Sequence, residues 1–239
     1  MVKRLEVIGA ILLLFVIASC SSMTEEELIE KGREQMDLEA YEEAIELFDR
    51  AIAKNKDNFT AHNAKGVALI RIDSLSQAIL SFNEALRIDS TDYRAYYNRG
   101  NGKRMLGDDN GAMRDYDKAI EIKPDVADAY VNRGAILFKY NQFDQALFDF
   151  EFALRLGANN PLIYLYKGKV ELRINNMDDA IFDFKKAIEL KEDLGEAYYW
   201  LGMSEITLEN RTVGCEYLQS AASYGIEDAE EAIAQNCMQ

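Results

Sequence analysis

The chain has 239 residues, enough for one or two globular domains with a sizeable core. Apolar residues make up 49% and charged residues 29%, with only 2 Pro and 14 Gly, which excludes collagenous and low-complexity chains and suits long helices. With 42 acidic against 27 basic residues the net charge is −15, which repels phosphate and argues against nucleic acid; one histidine, His62, and three scattered cysteines, Cys20, Cys215 and Cys237, have no metal-site spacing.

The N-terminus reads as a targeting segment. Lys3 and Arg4 precede an apolar run from Val7 to Ala18, too short to span roughly 30 Å of hydrocarbon but matched to a secretory signal. Ile17-Ala18-Ser19-Cys20 resembles the bacterial lipobox, which implies a signal peptide over 1–19, lipidation at Cys20 and a tether over 20–24. The competing reading is an ordinary signal peptide that happens to end in a cysteine. Multiple acyl chains on Cys20 would hold the protein on a membrane without crossing it, and Ser21 at the next position points to an outer-membrane lipoprotein, on its periplasmic or surface face. The acidic run Glu25-Glu26-Glu27 reads as the first turn of a helix, with a surface-export signal as the alternative.

From there the chain repeats. Glycines stand at 32, 66, 100, 134, 168 and 202, each 34 residues after the last. Twelve residues beyond each comes a small residue (Ala44, Ala78, Ala112, Ala146, Ala180, Gly214). Four further on stands a large one (Phe48, Phe82, Tyr116, Phe150, Phe184, Leu218), and three beyond that an alanine from Ala51 to Ala221. Such a stripe lies on one helix face and lets a neighbouring helix approach closely. A mid-helix glycine costs about 1 kcal/mol relative to alanine, so its recurrence predicts that a side chain there would strike the partner helix. Stretches such as Gly107-Asp108-Asp109-Asn110-Gly111, Tyr140-Asn141-Gln142 and Asn175-Asn176-Met177 predict the turn between two helices of a hairpin. Tyr96, Tyr130, Tyr164 and Tyr198 form a further column that reads as core, and His62 reads as a core or interface residue.

The last segment, 227–239, has Ala229, Ala232 and Ile233 at helical spacing beside acids and predicts a solvating cap helix. Cys215 and Cys237 flank the turn near Gly225, so an antiparallel hairpin would bring them together, as a disulfide in an oxidising compartment or as two free thiols.

In these columns the chain resembles the tetratricopeptide repeat family, with Pro124 at a helix-terminating position. The resemblance covers six repeats, 25–58, 59–92, 93–126, 127–160, 161–194 and 195–226, the first and last departing most from the pattern. It implies an all-α, right-handed solenoid of helical hairpins whose first helices line a concave groove for a protein or peptide. By the same resemblance the groove residues are Arg94, Tyr97, Asn98 and Asn101; Val131, Asn132 and Phe138; Leu165, Tyr166 and Lys169; and Tyr199 and Trp200. Asparagines such as Asn98 and Asn132 can grip a peptide main chain from both sides of its amide. The basic column Lys31, Lys65, Arg99, Arg133 and Lys167 either reads an acidic partner or pairs with nearby carboxylates. The carboxylate clamp that some relatives use for chaperone C-termini is not matched at Ile29 and Arg33. The sequence shows no catalytic constellation, and no cofactor, metal or small-molecule substrate is expected. The reading is a membrane-anchored scaffold of the cell envelope, with a self-associating structural component as the alternative and an enzyme as a remote third.

Overall fold

The computed structural model describes residues 23–238, so the apolar run and Cys20 lie outside the described residues. Among those described, thirteen helices and no strands are present. They fall into two compact units, the first ending at Lys118 and the second beginning at Ala119. The first holds α1 (Glu25–Asp37), α2 (Tyr41–Lys54), α3 (Phe59–Arg71), α4 (Leu75–Ile88), α5 (Tyr93–Met105) and most of α6 (Asp109–Ile122). The second holds α7 (Ala127–Lys139), α8 (Phe143–Arg155), α9 (Pro161–Arg173), α10 (Met177–Leu190), α11 (Gly195–Thr207), α12 (Arg211–Ser223) and α13 (Glu227–Asn236).

Several helix starts, mostly of first helices, follow from short polar side chains. Thr24 and Glu27 form a reciprocal capping box, so Glu25-Glu26-Glu27 is the first turn of α1. Asn58, Asp92 and Asn160 cap α3, α5 and α9 through their side-chain oxygens. First helices are followed by a residue of positive φ in one register: Glu39, Asp73, Gly107, Asn141, Asn175 and Glu209, 34 apart, at 58° to 83°. Only one of the six is glycine, so the surrounding hairpin holds the other five in the left-handed region.

In both units the hairpins pack by the same rule. An added Cβ would lie 2.5 Å from the Phe82 ring at Gly66 and 2.7 Å from the Phe184 ring at Gly168, so the glycine is the notch that admits the ring. Gly32, Gly100 and Gly134 meet Phe48, Tyr116 and Phe150 in the same way. These five rings are fully buried, as are the alanines before and after them. In the first unit α1, α3 and α5 touch in sequence; in the second, α7, α9 and α11 do, so each unit presents a surface of first helices.

Ion pairs bolt the hairpins from inside. Arg99 holds Asp115 at 2.6 Å, Arg133 holds Asp149 at 2.7 Å and Lys167 holds Asp183 at 2.8 Å, with all three carboxylates buried. Lys65 reaches Asp49 instead, at 2.6 Å. The basic column is thus engaged within the fold at these four positions, which is the second of the two readings given it. Tyr130 donates to the Pro124 carbonyl, and His62 is buried with its Nε2 3.0 Å from the Lys56 carbonyl. At the C-terminus α13 buries Ala229 and Ala232, and Cys215 and Cys237 are joined as a disulfide between α12 and the end of α13.

Candidate functional site

On the first unit the first-helix surface contains a hollow of about 470 Å³. Glu30, Arg33, Met36 and Asp37 of α1 form one wall, Phe59, Thr60, Asn63, Ala64 and Val67 of α3 the other, with Arg94 of α5 at its edge. Arg94 pairs with Asp92 at 2.5 Å, and its guanidinium lies 5.9 Å from the centre of the Phe59 ring. Asn98 donates to Asn63 at 3.2 Å, joining neighbouring repeats through side-chain amides. Asn101 accepts the Tyr116 hydroxyl at 2.8 Å, and Tyr97 lies against the Tyr116 ring, so these two predicted residues also brace the core. Burial is the main cause that pushes the Tyr116 hydroxyl up to about 12, so it stays a neutral donor.

The second unit carries a different surface. Lys169 of α9 extends among the rings of Phe138, Tyr166 and Trp200, with Nζ 5.4, 5.2 and 5.5 Å from their centres. Its ammonium pairs with Glu196 Oε1 at 2.8 Å, and the Trp200 indole N–H donates to the same oxygen at 3.4 Å. Three successive repeats therefore meet at one lysine. Tyr166 stacks on the buried Phe150, which ties this cluster to the core, and Tyr199 packs edge-on against Trp200. Asn132 is half-buried on α7.

Two predicted groove residues are corrected. Val131 is 9% exposed and Leu165 only 1%, and Leu165 belongs to the core with Phe184 and Leu201. Successive residues turn 100° around a helix, so the residue three before the glycine lies 60° from the glycine's inward face; Val131 and Leu165 turn into the core from there, while Asn63 in the same column lines the hollow. The residue two before the glycine and the one after it carry the open face instead. Asn98, Asn132, Tyr166 and Trp200 occupy the first of those columns; Asn101 and Lys169 occupy the second.

The sequence reading missed Phe59, Asn63 and Arg33 in the first unit and Glu196 in the second. Glu196 shares its column with Leu162, Asp128, the predicted Arg94 and Thr60 of the hollow, so carrying Arg94 forward to the last repeat would have found it, though no residue type recurs there. The buried acids were findable, because Asp115, Asp149 and Asp183 recur every 34 residues, each 16 after a basic residue.

Family models described as tetratricopeptide repeats match residues 29–93, 104–140, 127–160 and 163–194. No curated protein matches the chain in sequence. Among solved structures, YrrB, described as a TPR protein with an unusual peptide-binding site, is 24% identical over 78% of this chain and 97% of its own, with a TM-score of 0.65. The pilF protein of Pseudomonas aeruginosa is 18% identical over 88% of this chain and 97% of its own, with a TM-score of 0.80. MamA is 23% identical over 67% of this chain and 94% of its own, with a TM-score of 0.61.

Proposed function

The chain belongs to the tetratricopeptide repeat family, and from that membership we propose that it is a protein-interaction scaffold. It holds a protein or peptide partner against its first-helix surfaces and acts by binding, without chemistry of its own. The observation that carries this reading is the open columns of the first helices. They collect amides and aromatics, Asn98 and Asn132 followed by Tyr166 and Trp200, at positions whose residue type the 34-residue pattern does not fix. The peptide-binding site named for YrrB supports the same class of partner.

The proposal includes its place in the cell. The apolar run ending at Cys20 supports export and lipidation, which would leave the repeats tethered to the outer membrane on its periplasmic or surface side. The Cys215–Cys237 bond is in keeping with an oxidising compartment. Labelling with a fatty-acid analogue should mark the wild type and leave Cys20→Ala unlabelled.

Capture from envelope extract tests the scaffold. A folded Asn98→Ala/Asn132→Ala/Trp200→Ala variant should lose the partners that wild type retains, and equal recovery would remove the first helices from the account. The alternative, self-association, has one observation in its favour: Phe148 and Phe182, on second helices α8 and α10, are 54% and 65% exposed. Concentration-dependent oligomers abolished by Phe148→Ser/Phe182→Ser would favour it; a monomer at all concentrations favours the scaffold.

A further inference from the structure

The surroundings of Lys169 are those of a receptor for a cation. Three aromatic faces lie 5.2–5.5 Å from its Nζ, and a carboxylate, itself held by the Trp200 indole, lies at 2.8 Å. Aromatic faces around a carboxylate attract positive charge and offer an anion little. The repeat does not require this arrangement. The residue after the glycine is Arg33, Val67, Asn101, Ala135 and Met203 in the other repeats, so hairpins of this chain pack with or without a lysine there.

The occupant is supplied by the chain itself and is exchangeable in chemical terms. Lysine carries a strongly hydrated point charge on a flexible stem that can return to water, whereas the planar guanidinium of arginine sheds water more readily and stacks on rings. The Glu196 side chain remains 44% exposed, which leaves one side of the site facing solvent. A net charge of −15 draws basic segments towards the molecule.

We propose that Phe138, Tyr166, Trp200 and Glu196 form an arginine-receiving site for a basic segment of the protein partner, with Lys169 as a resident plug that swings out as the guanidinium enters. The inference rests on the scaffold reading and names the partner's chemistry. The exchange conserves charge in the site, since one cation leaves as another arrives. A tethered plug competes at millimolar effective concentration, so it keeps the site closed to weak cations and admits one presented with further contacts.

Trp200 is the only tryptophan, so its emission reports on this site alone. The probe is acetyl-Gly-Arg-Gly-amide, titrated to 50 mM on the full chain in detergent, with the Lys and Glu counterparts as comparisons. The arginine peptide should change Trp200 emission saturably, at least ten-fold more tightly in Lys169→Ala than in wild type and about ten-fold less tightly in Glu196→Gln. The lysine peptide should bind more weakly and the glutamate peptide not at all. No saturable response to arginine in folded wild type or Lys169→Ala would overturn the proposal, as would preferential binding of the glutamate peptide. Should Lys169→Ala lose its cooperative melt, Lys169→Gln replaces it and is read by the same criterion. Partner capture separates the two readings. Undiminished capture by Glu196→Gln would overturn the arginine site and leave the scaffold standing. Arginine binding with no protein held by the first helices would do the reverse.

Discussion

Two residues before the repeat glycine, the first unit carries Glu30, Ala64 and Asn98, in or beside an open hollow of about 470 Å³; the second carries Asn132, Tyr166 and Trp200, the last two against a lysine that fills the space between them. The helices beneath are alike. In both units a glycine receives a buried ring sixteen residues later and alanines flank that ring. One set of columns thus builds the hairpin and another dresses its surface, and only the second differs in character between the units. A binding surface can then change while the glycine, ring and alanine framework stays the same, even where a surface residue such as Tyr166 also leans on a framework ring.

That division has consequences of decreasing size. Truncating a framework ring should be severe and equal in the two units: Phe82→Ala and Phe184→Ala should each cost about 3–5 kcal/mol in urea unfolding. A difference of several kcal/mol between them would break the claim of a shared framework. Next, the C-terminal bond closes a loop between residues 22 apart, and Cys215→Ser/Cys237→Ser should destabilise the second unit by about 3 kcal/mol, seen as faster proteolysis at α13 with the first unit unchanged.

A pH effect sharpens the comparison within the second unit. Burial pushes the Asp183 carboxyl up to about 6 against the opposing pull of Lys167. The folded state therefore keeps a proton that the unfolded chain has released between roughly pH 4 and 6, and this group's contribution to stability falls as pH rises through that window. The melting temperature of wild type minus that of Asp183→Asn should be more positive at pH 4.5 than at pH 7.5. A difference that grows with pH would show that the ion pair, not burial, dominates. The smallest effect belongs to the surface: Asn98→Ala should change unfolding free energy by less than about 1 kcal/mol while weakening partner capture.

The framework was legible in the sequence because packing repeats: each glycine, ring and alanine solves the same steric problem 34 residues later. The left-handed turn residues were less so, since Glu39 and Glu209 carry no local signal for positive φ and take it from the hairpin. The surface was legible only in part. Tyr166, Lys169, Phe138 and Trp200, each read separately as surface residues, come together in one cluster, whereas Val131 and Leu165 turn inward. Their placement depended on 100° of helix rotation, which a column count does not resolve. Glu196 escaped because a contact between residues 27 apart is made once and leaves no period.

Amide hydrogen exchange on the full chain, with and without a captured partner, tests the central claim most directly. The account predicts added protection along the first helices, in α3 and α5 or in α9 and α11, with α8 and α10 unchanged. Protection confined to α8 and α10 around Phe148 and Phe182 would contradict it.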